Sequence, residues 1–485
     1  MKELLALVLA LSSGAVGGLL VAVLPAARSR LRNLVVLFFT VGGILGSWQV
    51  ARLVWAGERL RLAGQLGGLS FSLEPDPLGV IFGLIASTLW LFTVVYSFGY
   101  MAGKAHQRPY YSFLLLAFSV TLGVAFSGNL VALYLFYELL TLTTYPLVIQ
   151  ERSEEALRAG TKYLLYNLAG AAVLLLAIVL TAVWGGRLDF AGGPILAGGF
   201  KIGLNWLLFL FTVGFGVKAA LMPLHRWLPA AMVAPTPVSA LLHAVAVVYA
   251  GVYGLLRVVY SVFGTGLLAE LGVGALLPWV AAGTILAGII VALRQDELKR
   301  RLAYQTISHL SYILLGAITL HPWGLAGAVL QMIGYAVLKT AFFFCVGLIA
   351  EQTGVTRVSR MGGVGRVLPK TMAAFAVTTM GMIGMLPLGT FWGKYYLLQG
   401  SVAGGKWPLA VVLVVSGFLN AVCFIPVVVK AFRAERTPSP APEEGGVRVA
   451  LMLAPTLLLV VIGLGMGLFP GLVWPGVQAV VDWFF

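Results

Sequence analysis

Charge is what this chain has least of: Asp, Glu, Lys and Arg make up 10% of its 485 residues, against 60% hydrophobic residues. So few charges cannot cover the surface of a soluble protein of this length, and a mean hydropathy of +0.98 makes lipid the solvent. Cysteine is nearly absent. Cys345 and Cys423 lie in apolar runs, where they behave as small hydrophobes, so neither a disulfide framework nor a zinc site is expected. The chain also lacks the clustered cysteines of an iron–sulfur centre, the glycine fingerprint of a dinucleotide fold and the phosphate-binding P-loop. No cofactor is expected on it, and a driving redox reaction belongs on other subunits. Acids are scarcer than bases, 17 against 32, for a net charge of +15. The bases fall in short clusters between apolar runs, which suits a membrane surface and not a nucleic acid.

What the chain has in abundance is long apolar runs. A span needs about 20 apolar residues, and hydropathy predicts fourteen such helices, from 4–24 to 449–470. The first run, preceded only by Lys2 and followed by Arg28, Arg30 and Arg32, reads as a retained span and not as a secretory signal. The seventh (204–232) and twelfth (371–400) are overlong and carry Pro223 and Pro387, which predicts broken helices. Of the 32 Lys and Arg residues, 21 fall in one set of alternate loops, among them Arg294, Lys299 and Arg301, and seven on the opposite side. The excess marks the cytoplasmic face, so both termini are expected outside the cytoplasm, in a multi-pass protein of the cell inner membrane. The Pro-rich stretch 433–448 is expected to be a cytoplasmic linker before a last segment, 449–485.

Few charges remain inside the predicted spans: Lys218, Arg257, Lys339, Lys394 and, as the one acid, Glu138. Burying an ion costs about 3 kcal/mol on insertion scales, so such residues face a polar interior and mark an ion path, or else snorkel or form structural pairs. The second reading fits Arg257, near a span end, and the first fits the other four. Polar residues share helix faces with them. Tyr134, Glu138, Thr141 and Tyr145 form one stripe, Gln331, Tyr335 and Lys339 a second, and Gln305, His309 and Tyr312 a third. His243, on one face with Ser239, and His309 are each either a proton relay or a hydrogen-bonded packing residue. Each half of the chain thus holds one Pro-interrupted span with one lysine, Lys218 before Pro223 and Lys394 after Pro387, a pattern of inverted repeats around a midplane ion site.

The segment Lys218 to Val248, KAALMPLHRWLPAAMVAPTPVSALLHAVAVV, closely resembles the signature of the antiporter-like membrane subunits of complex I, Mrp-type cation/proton antiporters and energy-converting membrane-bound hydrogenases. The resemblance extends through YLFYELLTLTTYPLV around Glu138, LKRRLAYQTISHLSYILLG, GYAVLKTAFFF at Lys339 and LPLGTFWGKYYLL at Lys394, covering roughly 75–430. It implies about fourteen transmembrane helices: an N-terminal part (1–108), two inverted five-helix repeats (109–262 and 263–432) and a C-terminal helix (449–485). It further implies that Glu138 and Lys218 form a switching ion pair, that His243 and Lys339 relay protons along a hydrated axis, and that Lys394 lies at its far end. Two positions depart from the pattern. Tyr249 stands where hydrogenase-type relatives often carry lysine, and Tyr335 where many members carry histidine. A phenol, with an ordinary pKa of about 10, supplies no mobile positive charge near neutrality. Ending at Phe485, the chain resembles members without the lateral helix of the longest ones.

The function these residues imply is translocation of protons or sodium by one subunit of a redox-driven membrane complex of the hydrogenase, formate hydrogenlyase or NADH:quinone oxidoreductase type. Its partners would be other membrane subunits and, through them, a soluble redox arm. An Mrp-type antiporter without redox chemistry uses nearly the same residues. A haem-binding membrane cytochrome would need His243 and His309 to face one cavity as axial ligands.

Overall fold

The computed structural model describes residues 2–25, 28–66, 69–196, 201–271, 276–433 and 446–485. The chain begins with α1 (Lys2–Val23) and α2 (Ser29–Trp55), followed by a two-stranded antiparallel hairpin, β1 (Leu62–Leu66) and β2 (Leu69–Leu73), in which Leu62 pairs with Leu73. Then come α3 (Pro77–Tyr100), α4 (Gln107–Ala125), α5 (Leu130–Val148), α6 (Glu154–Gly185), α7 (Lys201–Lys218), the short α8 (Trp227–Ala230), α9 (Thr236–Ala244) and α10 (Val247–Arg257). The second half holds α11 (Gly264–Glu270), α12 (Leu277–Leu293), α13 (Leu298–Ile318), α14 (Pro322–Thr353), the short α15 (Val364–Val367), α16 (Pro369–Ile383), α17 (Thr390–Ala403) and α18 (Trp407–Phe432). Finally α19 (Val447–Leu468) precedes α20 (Trp474–Phe484). Most of the predicted linker 433–448 lies outside the described residues.

Local chemistry sets where these helices begin. The Asp76 carboxylate accepts from the Gly79 amide with Pro77 at the first turn of α3, Asn129 accepts from Ala132 at the start of α5, and Ser153 from Ala156 at the start of α6. Each cap satisfies an amide that the helix leaves unpaired, and proline there sacrifices no bond. Nine helices among the described residues are long and apolar enough to cross a membrane, and two shorter apolar ones accompany them. Their burial is uneven. On α1, α2, α6 and α18 large apolar side chains such as Leu19, Phe38, Val183 and Phe418 point outwards, the pattern of a lipid-facing ring. α14 is the centre, packed by α3, α9, α13, α16, α17 and α19, with Gln331, Tyr335 and Lys339 fully buried.

All fourteen predicted apolar stretches carry helix, with four differences from the sequence reading. The eighth stretch, expected as one helix, breaks at Val245–Ala246 between α9 and α10 and ends in a π-helical turn at Val258–Phe263. The all-helical expectation missed the hairpin at Leu62–Leu73 and the amphipathic α20 after the fourteenth stretch. The sequence reading also gave no role to Asp76, which caps α3 and is buried against Arg257.

Candidate functional site

α7 stops at Lys218. Ala220 takes a left-handed backbone (φ +55°), and Pro223 follows, so the helical ladder is interrupted over Ala219–Pro223. α10 crosses this break closely: a Cβ on Gly251 would lie 2.7 Å from the Lys218 carbonyl carbon, so glycine is what allows the approach. The fully buried Lys218 ammonium donates to the Tyr137 carbonyl on α5 and lies 3.2 Å from the centre of the Tyr137 ring. Glu138 Oε1 is 3.6 Å away, an ion pair without a direct hydrogen bond, and this oxygen has no hydrogen-bonding protein partner. A lysine held mainly by a carbonyl and a ring can exchange its carboxylate contact without losing every ligand. The geometry therefore suits a pair that opens.

The second break, Val245–Ala246, follows His243 by one residue. His243 is fully buried, neither ring nitrogen has a protein partner, and its ring centre lies 5.1 Å from that of Phe343 on α14. Lys339, one turn before Phe343, has its ammonium 5.5 Å from the same ring. Phe343 is therefore a shared neighbour of the histidine and the lysine. Buried polar atoms are nearly always paired, and a ring that the protein leaves unpaired is one that ordered water can pair. Tyr249, three residues beyond the break, donates its hydroxyl to the Met332 carbonyl at 2.9 Å and acts as a cross-brace between α10 and α14.

Beyond Phe343 the polar groups are continuous. The Lys339 ammonium donates to the Leu302 carbonyl and to Gln305 Oε1, both at 2.8 Å. Gln305 Nε2 donates to Asn420 Oδ1 at 2.9 Å, and the same oxygen lies 3.3 Å from His309 Nε2. Gln331 Nε2 is 3.3 Å from His309 Nδ1. With the amides oriented so, these bonds close when His309 is neutral and carries its proton on Nε2. A second proton, on Nδ1, requires the Gln331 amide to turn its buried, unpartnered Oε1 toward the ring. The His309 ring stacks on Tyr335, centres 4.7 Å apart, and meets Tyr312 at 4.8 Å. Tyr312 bonds Ser416 at 2.5 Å, one turn from Asn420, and its ring lies 5.3 Å from the Lys394 ammonium.

Lys394 sits beyond the third break, between α16 and α17. Gly384 there is left-handed (φ +92°), and a Cβ on it would meet the Lys394 stem at Cδ, 2.5 Å away. The ammonium reaches back to the Met382 and Ile383 carbonyls at 3.0 and 2.6 Å, the ones a broken helix leaves without amide partners.

Residues 127–420 match the family described as the transmembrane region of NADH:quinone oxidoreductase and Mrp antiporters. The chain belongs to this family. NADH-quinone oxidoreductase subunit N of Desulforudis audaxviator is 34% identical over 82% of this chain and 81% of its own length. Na(+)/H(+) antiporter subunit A1 of Staphylococcus haemolyticus is 30% identical over 86% of this chain, which spans about half of that relative, 54%. Among solved structures, the Mrp complex from Dietzia sp. DQ12-45-1b aligns with a TM-score of 0.89 at 22% identity, over 100% of this chain and 98% of that one. The membrane-bound sulfane sulfur reductase, an archaeal respiratory complex, aligns with a TM-score of 0.86 at 21% identity, over 98% and 97%. The protein is thus an antiporter-like, multi-pass membrane subunit with the fold of subunits from such assemblies.

In this antiporter-like subunit the structure pairs Glu138 with Lys218 and gathers Lys339, Gln331, Tyr335 and His309 in one network that leads to Lys394. His243 and Tyr249 stand between the two groups and bond to neither. Arg257 is apart from all of them. Fully buried, it forms an ion pair with Asp76 and bonds the Tyr253 hydroxyl, joining α10 to the start of α3. Sequence reading missed Asn420 and Ser416, which join α13 to α18. Their four-residue spacing on an otherwise apolar helix was the available signal. His309, with both ring nitrogens engaged, offers no free axial ligand for a haem.

Proposed function

We propose that this subunit moves protons, or sodium ions, as part of a larger redox-driven complex of the hydrogenase, formate hydrogenlyase or complex I type, with other membrane subunits beside it and a soluble redox arm beyond them. The observation that carries the reading is the buried line of ionisable and polar groups from Glu138 and Lys218, past His243, through Lys339, Gln305, Asn420 and His309 to Lys394. Charges are kept at such depth where they carry ions or protons. In this mechanism Glu138 holds the proton on Lys218, withdrawal of Glu138 favours its release, and His243, Lys339 and His309 pass it on while Lys394 forms the terminal site. Pro223 breaks the helix just after Lys218, Pro387 leaves unpaired the carbonyls that ligate Lys394, and Gln331, Tyr335 and Tyr249 orient the middle. Fourteen crossings as two inverted five-helix repeats, 109–262 and 263–432, with both termini outside the cytoplasm of the inner membrane, complete the proposal. The related breaks after Lys218 and before Lys394 support the repeats, and the basic loops support the orientation.

Purifying the native complex, identifying its subunits and following proton and sodium uptake into vesicles during turnover tests this. Redox subunits and ion uptake driven by electron transfer are the expected result. Co-purification of small antiporter subunits alone, with exchange driven only by an ion gradient, would replace it with the Mrp-type reading that the Staphylococcus relative suggests. Cysteine labelling in the Arg294–Arg301 loop and at the C-terminus should report opposite sides of the membrane.

A further inference from the structure

Lys299, at the start of α13, belongs to the basic side of the protein and is absent from the line described above. Its half-buried ammonium donates to the Ala234 carbonyl at 2.6 Å. That carbonyl stands at the junction where Pro235, lacking an amide hydrogen, opens α9. The Ser239 hydroxyl donates to the same oxygen at 3.2 Å, so the Lys299 nitrogen and the Ser239 oxygen are no further apart than these two bonds laid end to end. One bridging water spans such a gap. Ser239 is fully buried, and one helical turn further along the same face lies His243, whose two ring nitrogens are buried without a protein partner. The sequence Lys299, Ser239, His243 therefore leads from the basic face to the one buried group of the proposed relay that has no protein ligand.

We infer that Lys299 is the group that admits protons from the basic face of the protein to His243. The inference rests on the proton-moving reading given above. In each cycle the Lys299 ammonium gives a proton to water held against the Ala234 carbonyl. Ser239 and that water pass a proton to a free His243 nitrogen, and the neutral amine regains its proton from the aqueous phase on the basic side. No other bond changes.

The decisive comparison is Lys299→Arg against Lys299→Met in the intact complex, reconstituted with the wild type and Lys218→Ala. Arginine keeps the charge and the bond to Ala234, yet it does not release a proton in proteins. A relay therefore predicts a drop in proton uptake of about tenfold or more in both variants, with normal assembly. A structural clamp predicts that arginine restores the wild-type rate, and that result would overturn the inference. If wild type pumps, Lys218→Ala is silent and Lys299→Arg pumps normally, only the role of Lys299 falls. If wild type moves no protons, the proposed function fails first. A measurement on the unaltered complex guards against variants that fail to assemble: a membrane-impermeant acylating reagent should label Lys299, read by peptide mass spectrometry, from the basic side alone. Absence of label from that side also overturns the inference.

Discussion

The two broken helices that hold the end lysines solve one problem in two ways. Pro223 and Pro387 are 164 residues apart, and the left-handed residues Ala220 and Gly384 are separated by the same interval. Lys218 lies before its break and Lys394 after. Yet Lys394 reaches back to the Met382 and Ile383 carbonyls, the positions that correspond at that interval to Lys218 and Ala219. The Lys394 ammonium thus lies against the counterpart, by interval, of the stretch that begins at Lys218, although the two lysines themselves do not correspond. What differs is the counter-charge. Lys218 has Glu138 at 3.6 Å, whereas Lys394 has carbonyls and a Tyr312 ring but no ion-paired acid among the described residues. A dipole cage holds an ammonium steadily, while a carboxylate that moves can change its proton affinity. Under the proposed mechanism this difference assigns switching to the first half and receiving to the second.

The largest expected effect tests that division directly. Lys218→Ala and Glu138→Gln should each lower ion uptake in vesicles by about a hundredfold or more while the complex still assembles. Normal pumping by an assembled Lys218→Ala complex would remove the switch. Next comes a difference in stability. Lys218→Met strands the Glu138 carboxylate and should cost about 3 kcal/mol, against about 1 kcal/mol for Lys394→Met, which frees only two carbonyls. Thermal unfolding of the two variants reads the difference, and adding Glu138→Gln to Lys218→Met should recover most of the loss. Equal costs would mean that the two sites are not electrostatically distinct.

A smaller effect sharpens the boundary between the halves. Asn420→Leu removes the oxygen shared by Gln305 and His309 and should slow pumping by about tenfold, leaving the stability effect of Glu138→Gln unchanged in the double variant. Wild-type pumping would show that the second half conducts by another route. The smallest effect is expected at Tyr249. Tyr249→Phe loses one hydrogen bond to Met332, about 1 kcal/mol, and transport should stay within about twofold because the phenol braces two helices and carries no charge. A loss approaching that of Lys218→Ala would give the hydroxyl a direct part in the relay.

Much of the molecule was legible along the chain. Apolar runs located every long helix because hydrocarbon admits only a backbone bonded to itself, and proline marked two of the three breaks. The third, at Val245–Ala246, carries no proline or glycine, and nothing in its local sequence announces it. Asp76 was overlooked because it stands one residue outside an apolar run, a position read as surface until Arg257 is seen against it.

Sequence by itself determined that the protein lives in lipid, which lysines lie deep inside it, and the family to which it belongs, since hydropathy, the cost of buried charge and motif spacing are all properties of the linear chain. Only the tertiary structure decided which of those charges meet. Glu138 and Lys218 are 80 residues apart, Gln305 and Asn420 are 115 apart, and Lys299 and Ala234 are 65 apart. Contacts of that range depend on how helices pack and where they break, because burial makes a polar residue need a partner without specifying which one.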